Sequence, residues 1–428
     1  MTEQFLHYIW KFQLFEQNSL QCESGESLQI IKAGTPNTDA GPDFFNTKIK
    51  IGSTLWAGNV EIHINSSDWE KHSHQKDAAY DNVILHVVFN HDKNVVRKNG
   101  QELHVLTLQE KINDSLYAKY CHFLSNKLWI PCANHISEVD VFTVDNWLER
   151  LLIERLERKS SAIVEMLERH KNDWAEVFYI FLARNFGFKV NAEPMELLAK
   201  SLPFSVIGKH RDNLLQVEAL LLGQAGFLEE NFADDYPNQL KKEYDFLKNK
   251  FKLQPLDKSL LKFLRLRPPN FPTIRISQLA NLIHRSSSLF SKIIEAKNSA
   301  AIIELFQVET SEYWRTHYVF DKHSSERKKQ LGESAVNGIL INTVAPFLFV
   351  YGQQKGEDVF KTNAFKLLEN LPEEKNAIIN RWKELNISAR DAYRSQALLQ
   401  LKNEYCNAKK CLHCAIGNKI LRFSQNDK

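Results

Sequence analysis

The spacing of apolar and polar residues divides the chain into two parts. Through about residue 112 the runs are short and alternate like strands, whereas from about Val139 the apolar residues recur at helical intervals. Residues 2–15 predict an amphipathic helix, with Thr2 as its cap and Phe5, Ile9, Phe12 and Leu14 among its buried positions. Strand-like runs follow at 28–33, 44–51 and 55–64. The first two are separated by the loop GTPNTDAGPD, the last two by a turn at Gly52-Ser53, and Gly58 inside the third marks a candidate bulge. Ser66, Ser67 and Asp68 form a capping cluster ahead of a helix over 69–80. The apolar run 83–90 predicts a strand, and a hairpin turn at Asn99-Gly100 predicts its return at 103–108, before a helical patch at 113–127.

Helical periodicity then opens with DNWLERLLIERLERKSSAIVEMLERH and continues to the C-terminus. Further helices are predicted at 174–185, 212–222, 236–250, 276–285, 338–351 and 395–403. No fixed-period repeat points to a solenoid. The fold class expected is α+β: a small mixed α/β domain over 1–135, then a large all-helical domain over 136–428 that carries a C-terminal cysteine cluster.

Composition narrows the picture. At 428 residues, with 43% hydrophobic and 25% charged residues, the chain is long enough for two or three folded domains and lacks the character of a disordered one. A formal charge of +3 neither requires nor excludes nucleic acid, because a local basic groove can sit inside a balanced total. Glu3 stands where a secretory signal would carry positive charge. The apolar run 344–351 contains Pro346 and falls far short of the ~20 residues that span a bilayer, so no membrane association is expected. Six cysteines are too few for a disulfide scaffold in a chain of this length, which fits a reducing cytoplasm.

Candidate chemistry concentrates between Gly41 and Asp92. Alternation along 59–64 puts Val60, Ile62 and Ile64 on one face of a strand and Glu61 with His63 on the other, the pairing a metal site on a sheet requires. Asp43, at the start of the preceding strand, meets Glu61 if the two strands pair, and two carboxylates can then share a divalent cation. GPDF followed by VEIH, in the order helix, strand, strand, strand, helix, strand, resembles the PD-(D/E)xK phosphodiesterase superfamily over the first quarter of the chain. That resemblance implies Mg²⁺ or Mn²⁺ held by Asp43 and Glu61, with His63 standing where the family has a lysine that assists the attacking water. A histidine can bind metal or accept a proton near neutrality but cannot supply a lysine's charge at high pH.

The histidines allow a second arrangement. His63, His72, His74, His86 and His91 with Asp77 supply imidazole and carboxylate for a transition-metal hydrolase. On one helix, however, His72 and His74 differ by about 200°, while His74 and Asp77 are one turn apart. His86 lies in an apolar strand, where a core histidine is the commoner outcome. His72, His74 and Tyr80 can alternatively line a phosphate-binding face beside Glu61.

Two further features are separate in sequence. Cys406, Cys411 and Cys414 need a fourth ligand for a closed zinc or iron–sulfur site; Cys132 is the first candidate, with Cys121, Cys22 and His413 as alternatives. Three cysteines near the C-terminus with one upstream are similar to the iron–sulfur staple of some PD-(D/E)xK nucleases, at a different spacing. Arg265, Arg267, Arg275 and Arg285 flank a proline-rich turn at a helix start, a place where phosphate can bind. Over nearly its whole length, including WAGNVEIH, RPPNFPTIRISQLA, EALLLGQAGFL and KKCLHCAIG, the chain resembles an uncharacterised bacterial domain-of-unknown-function family, which implies a shared architecture and no activity. The functional expectation is a metal-dependent nuclease-like phosphodiesterase acting on nucleic acid. The alternatives are a non-catalytic nucleic-acid or protein-binding module on the same fold, and a His-rich metal-dependent hydrolase of small molecules.

Overall fold

The computed structural model describes residues 1–286 and 288–422. They form two compact units, one made of residues 1–147 and the tail from Lys402, the other of residues 148–401. The division therefore falls a dozen residues beyond the expected 135/136 boundary, and the cysteine-bearing tail belongs with the first unit.

In the first unit, α1 (Glu3–Phe12) starts where the Thr2 hydroxyl accepts the Phe5 N–H at 3.3 Å and ends where Gln13 turns left-handed. Phe5, Leu6, Ile9 and Trp10 are fully buried, whereas Phe12 and Leu14 are half-buried. The strands are β1 (Leu28–Lys32), β2 (Thr35–Pro36), β3 (Phe44–Ile51), β4 (Thr54–Asn65), β5 (Val83–Asn90) and β6 (Val105–Thr107). They build one sheet along the path β1-β3-β4-β5-β6, with β2 also paired to β3. The first two links of the path are antiparallel and the last two parallel. Between β4 and β5 lies α2 (Asp68–Lys71), and α3 (Asp114–Ser125) follows β6.

Three local expectations change. The helix over 69–80 stops at Lys71: Ser73 takes φ +63°, and two 3-10 turns, His74–Lys76 and Ala78–Tyr80, replace the rest, the second capped by Asp77 Oδ1 accepting from Ala79 N–H at 2.9 Å. The segment has no apolar stripe to bury, so polar caps and turns win over propagation. The Asn99-Gly100 turn closes only a small arm in which Val96 bridges Glu102 and Leu103 N–H donates to Val95 O at 3.0 Å. After that arm β6 meets β5 in parallel, not as a hairpin return. The irregularity near Gly58 lies on the facing strand, where Asn46 adopts φ +57° and the β3–β4 register shifts between Phe44 and Thr47. Gly58 itself permits close approach: a Cβ there would fall 2.4 Å from Ile84 Cγ2 and 2.6 Å from Asn82 O.

Trp69, at 1% exposure, anchors α2 in a core cluster with Val83, Val88, Val95, Leu103 and Val105. Its Nε1–H donates to Val96 O at 3.2 Å.

The second unit is helical, with a small hairpin of His317–Val319 against Lys322–His323 that the helical periodicity did not indicate. Its longest apolar helical run, Glu333–Lys355, is long enough to cross a membrane by length and composition, yet 78% of its most apolar window is buried inside the protein. The run contains a π-helical turn at Leu340–Val344. Lys159 is half-buried beside it, donating to Asn342 Oδ1 at 3.0 Å and Gln396 Oε1 at 2.9 Å. Glu218, with no exposure, accepts from Tyr236, Ser277 and Ser311 hydroxyls.

Candidate functional site

The site begins in the loop before β3. The Asn37 amide donates to the carbonyls of Asp39 (3.0 Å), Ala40 (3.3 Å) and Pro42 (3.1 Å), and Asn37 N–H donates to Asp43 O at 2.7 Å. This wrap delivers Asp43 to the start of β3. There Asp43 Oδ2 accepts the Ile62 N–H at 2.9 Å and Asp43 N–H donates to Glu61 Oε2 at 3.2 Å, so both carboxylates are fixed across the β3–β4 pair. Strand alternation puts Glu61 and His63 together on one face, as the sequence predicts, but both are buried, at 4% and 1% exposure.

The broken helix brings the remaining imidazoles onto that face. His63 Nε2 lies 3.1 Å from His72 Nδ1 and 3.5 Å from Glu61 Oε1, while His74 Nε2 is 3.2 Å from the same Glu61 oxygen. One ligand atom from each of His63, His72 and His74 falls within 4.8 Å of the other two. His86 Nε2 sits 2.8 Å from His63 Nδ1, outside the trio. Tyr80 stacks on His74 with ring centroids 3.8 Å apart, and Trp69 packs edge-on against the same imidazole.

Sequence reasoning missed a second group. Glu3 and His7, one turn apart on α1, meet Asp43: His7 Nε2 is 3.3 Å from Asp43 Oδ2 and 3.9 Å from Glu3 Oε1. These three residues also bring ligand atoms within 4.8 Å of one another. The only signal was a Glu and a His at i, i+4 on the polar side of an amphipathic helix, a pattern shared by many solvated faces.

The electrostatics follow from burial. Desolvation raises the Glu61 carboxyl above its usual range against the opposing pull of His74. His63 is pushed down to about 4 by burial and by the neighbouring His74 and His72, and burial with His63 drives His86 well below the usual imidazole range. Burial lowers His7 too, but Asp43 and Glu3 outweigh it and its pKa is raised. Tyr80 rises to about 12 through burial beside Glu61 and Asp43.

Imidazoles converging with a carboxylate form a donor set suited to a transition metal or Mn²⁺. His7 Nε2 and His74 Nε2 face carboxylate oxygens of Asp43 and Glu61 at 3.3 and 3.2 Å. The three imidazoles His63, His72 and His74 fit such an ion, with Glu61 Oε1 beside two of them, 3.5 Å from His63 Nε2 and 3.2 Å from His74 Nε2. His86 fits as the partner that fixes the His63 tautomer through Nδ1–H. Asp77 contributes a turn cap rather than a site group.

A family model described as Protein of unknown function (DUF2851) matches residues 3–377. The chain belongs to this family. No curated protein and no solved structure matches the chain. The DUF2851 match spans every group of the carboxylate–imidazole site, from Glu3 to His86, together with Cys132, and ends ahead of Cys406, Cys411 and Cys414.

The remaining candidates lie elsewhere. Cys132, Cys411 and Cys414 are each 7% exposed, and Cys406 feels the charge of all three. His413 shares a 3-10 turn with Cys411, directly before Cys414, while Cys22 lies ahead of β1. Cys121 lies beside Tyr117. Arg275 cannot serve as the expected phosphate ligand: at 7% exposure its guanidinium donates to Gln278 Oε1 (2.8 Å) and Asn270 Oδ1 (2.6 Å) and stacks on Phe188 at 4.6 Å. The helix there starts at Pro272, not Ile276, and its first turn is buried. Arg265 and Arg267 are exposed, and Arg285 donates to Gln307 O at 2.9 Å.

Proposed function

We propose that the chain is a metal-dependent phosphodiesterase acting on nucleic acid. The observation that carries this reading is the meeting of Glu61 with His63, His72 and His74 on one sheet face, beside an Asp43 carboxylate fixed by the Ile62 N–H. The resemblance of Asp43 and the Glu61-x-His63 step to the PD-(D/E)xK pattern supports phosphodiester chemistry, as does the place of Asp43 just ahead of β3, hydrogen-bonded to the Ile62 N–H of β4. The imidazoles shift the preferred ion from Mg²⁺ toward Mn²⁺ or Zn²⁺.

A divalent cation held there supplies Lewis-acid chemistry: it neutralises charge on a phosphate and acidifies water. His63, His72 and His74, with Glu61 beside them, would hold the ion. Asp43 fixes the strand end and, with Glu3 and His7, forms a second charged group at the rim, where the His7 side chain keeps 33% of its surface exposed. His63 does not replace the lysine of the PD-(D/E)xK pattern as a cation, because burial keeps it neutral. In the second unit, exposed Arg265 and Arg267 are available for backbone phosphates.

The test is cleavage of single- and double-stranded DNA and RNA with Mg²⁺, Mn²⁺ or Zn²⁺, comparing the full chain with Glu61→Gln. Cleavage that requires the cation and disappears in the variant is the expected result. The three-imidazole convergence also favours a second reading, hydrolysis of a small molecule. Cation-dependent turnover of small phosphoesters or amides without polynucleotide cleavage would select it.

A further inference from the structure

The second unit holds a cavity that the phosphodiester chemistry leaves unused. Trp174, Phe178 and Leu182 recur every four residues along the helix Trp174–Phe186 and so share one side of it, with Tyr179 beside them. Glu176 Oε2 accepts the Phe204 N–H at 2.8 Å, which brings the Phe204 ring alongside Tyr179, with centroids 5.4 Å apart. Phe290, on the helix Leu289–Glu295, stacks on Trp174 with centroids 5.4 Å and planes 5° apart. These rings line a cavity of about 270 Å³.

Burial grades from floor to mouth. Phe178, Tyr179 and Leu182 are at most 3% exposed, whereas Trp174, Phe204 and Phe290 are half-buried. The floor is therefore closed and the mouth aromatic. An apolar cavity of roughly 150 Å³ already admits benzene, so this one has room for a bicyclic ring. Aromatic walls hold a flat guest by stacking on its faces.

Charge and hydrogen bonding narrow the guest. Among the described residues, no Asp, Glu, Lys, Arg or His lines the cavity, so a charged guest would lose its hydration there without a counter-charge. The Tyr179 hydroxyl is buried without a hydrogen-bond partner, and Ser286, Ser288 and Ser291 add their hydroxyls to the lining. A hydrocarbon guest would leave the Tyr179 group unpaired, whereas a flat ring with nitrogen and oxygen at its edge gives it a partner. A nucleobase is neutral, planar and edged with donors and acceptors, and it enters such a cavity only when it is neither paired nor stacked on its neighbours.

We propose that the cavity takes one nucleobase of a single-stranded nucleic acid, stacked in the aromatic mouth with its edge on the Tyr179 hydroxyl. Stacking tolerates any base, so the cavity selects strand state over sequence. The inference rests on the nucleic-acid reading above and names its substrate as single-stranded; the binding needs no cation.

The test is binding without chemistry. With cations removed by EDTA, fluorescence anisotropy compares three labelled probes on the full chain: a single-stranded oligonucleotide, the same strand with abasic sites in place of its bases, and its duplex. The intact single strand should bind about 5–150-fold more tightly than the abasic strand, the factor that stacking of one base supplies, and more tightly than the duplex. Trp174→Ala should lose a similar factor, and Tyr179→Phe, which keeps the ring and its packing, about 2–10-fold. Equal binding of the intact and abasic strands by the unmodified chain overturns the proposal and leaves the nucleic-acid reading in place, as does full affinity in both variants. No binding of any strand also overturns it, and the cleavage assay then judges the nucleic-acid reading by itself. Adenosine bound where no strand binds reassigns the cavity to a free heteroaromatic compound and overturns the strand as its occupant.

Discussion

Glu61 and His86 are register partners on the parallel strands β4 and β5, and both reach the same imidazole. Glu61 Oε1 is 3.5 Å from His63 Nε2, and His86 Nε2 is 2.8 Å from His63 Nδ1. The ring is thus held from both nitrogens, one side by a carboxylate that can share a cation and the other by a group that only orients it. The two partners should separate in a binding experiment. Glu61→Gln should abolish tight Mn²⁺ binding, while His86→Phe should weaken it by about 10–100-fold, the usual cost of losing a ligand's outer partner. Calorimetric titration with Mn²⁺ checks both, and unchanged affinity in His86→Phe would show that His63 needs no such support.

Cation binding should also stabilise the fold. At free Mn²⁺ about 100 times the dissociation constant, mass action adds ~2.7 kcal/mol to the unfolding free energy of the first unit. Urea denaturation with and without Mn²⁺ measures this gain, which should vanish in Glu61→Gln. A gain of equal size in the variant would place the stabilising ion somewhere else.

Gly58 should not tolerate a methyl group. With Ile84 Cγ2 and Asn82 O inside 2.6 Å of the added carbon, Gly58→Ala must push β4 and β5 apart three residues before Glu61. A loss of about 1–3 kcal/mol is expected, as for other overpacked interiors. Chemical denaturation gives the answer; a change within experimental error would mean the strands part freely at this point.

The second unit should become more stable as pH rises. Burial, with Arg155 nearby, lowers Lys159 from its ordinary 10.5 to about 7. Between those values the unfolded chain binds a proton that the folded chain does not, so unfolding free energy increases with pH across the window and is lowest below about 7. The slope is at most about 1.4 kcal/mol per pH unit. Lys159→Met should flatten it, as urea denaturation at several pH values would show. A slope retained in the variant would assign the effect to other groups.

How far the sequence revealed the site depended on the periodicity involved. Alternation is local, so Glu61 and His63 on one face of β4, with Asp43 at the neighbouring strand's start, could be read directly. The imidazole trio could not, because a continuous helix over 69–80 separates His72 from His74, and only the left-handed turn at Ser73 lets them meet. Glu3 and His7 looked like any exposed i, i+4 pair until α1 was seen beside Asp43. Arg275 misled in the opposite direction, since its charge suggested a ligand site while its guanidinium is committed to Gln278, Asn270 and Phe188. The parallel return of β6 was hidden for a related reason: Asn99-Gly100 marks a turn correctly but does not say which strands the turn joins.

The membership of the tail in the first unit sets an order of events during synthesis. The sheet and its carboxylates leave the ribosome early, but the residues that complete their unit follow only after 148–401 have been made. At typical elongation rates that interval is about 10–50 s, long compared with most domain folding. The nascent first unit must therefore wait, half-assembled, while an entire helical unit forms between its two parts. A chain stopped short of Lys402 would carry Asp43, Glu61 and all the site histidines without the segment that finishes the body around them.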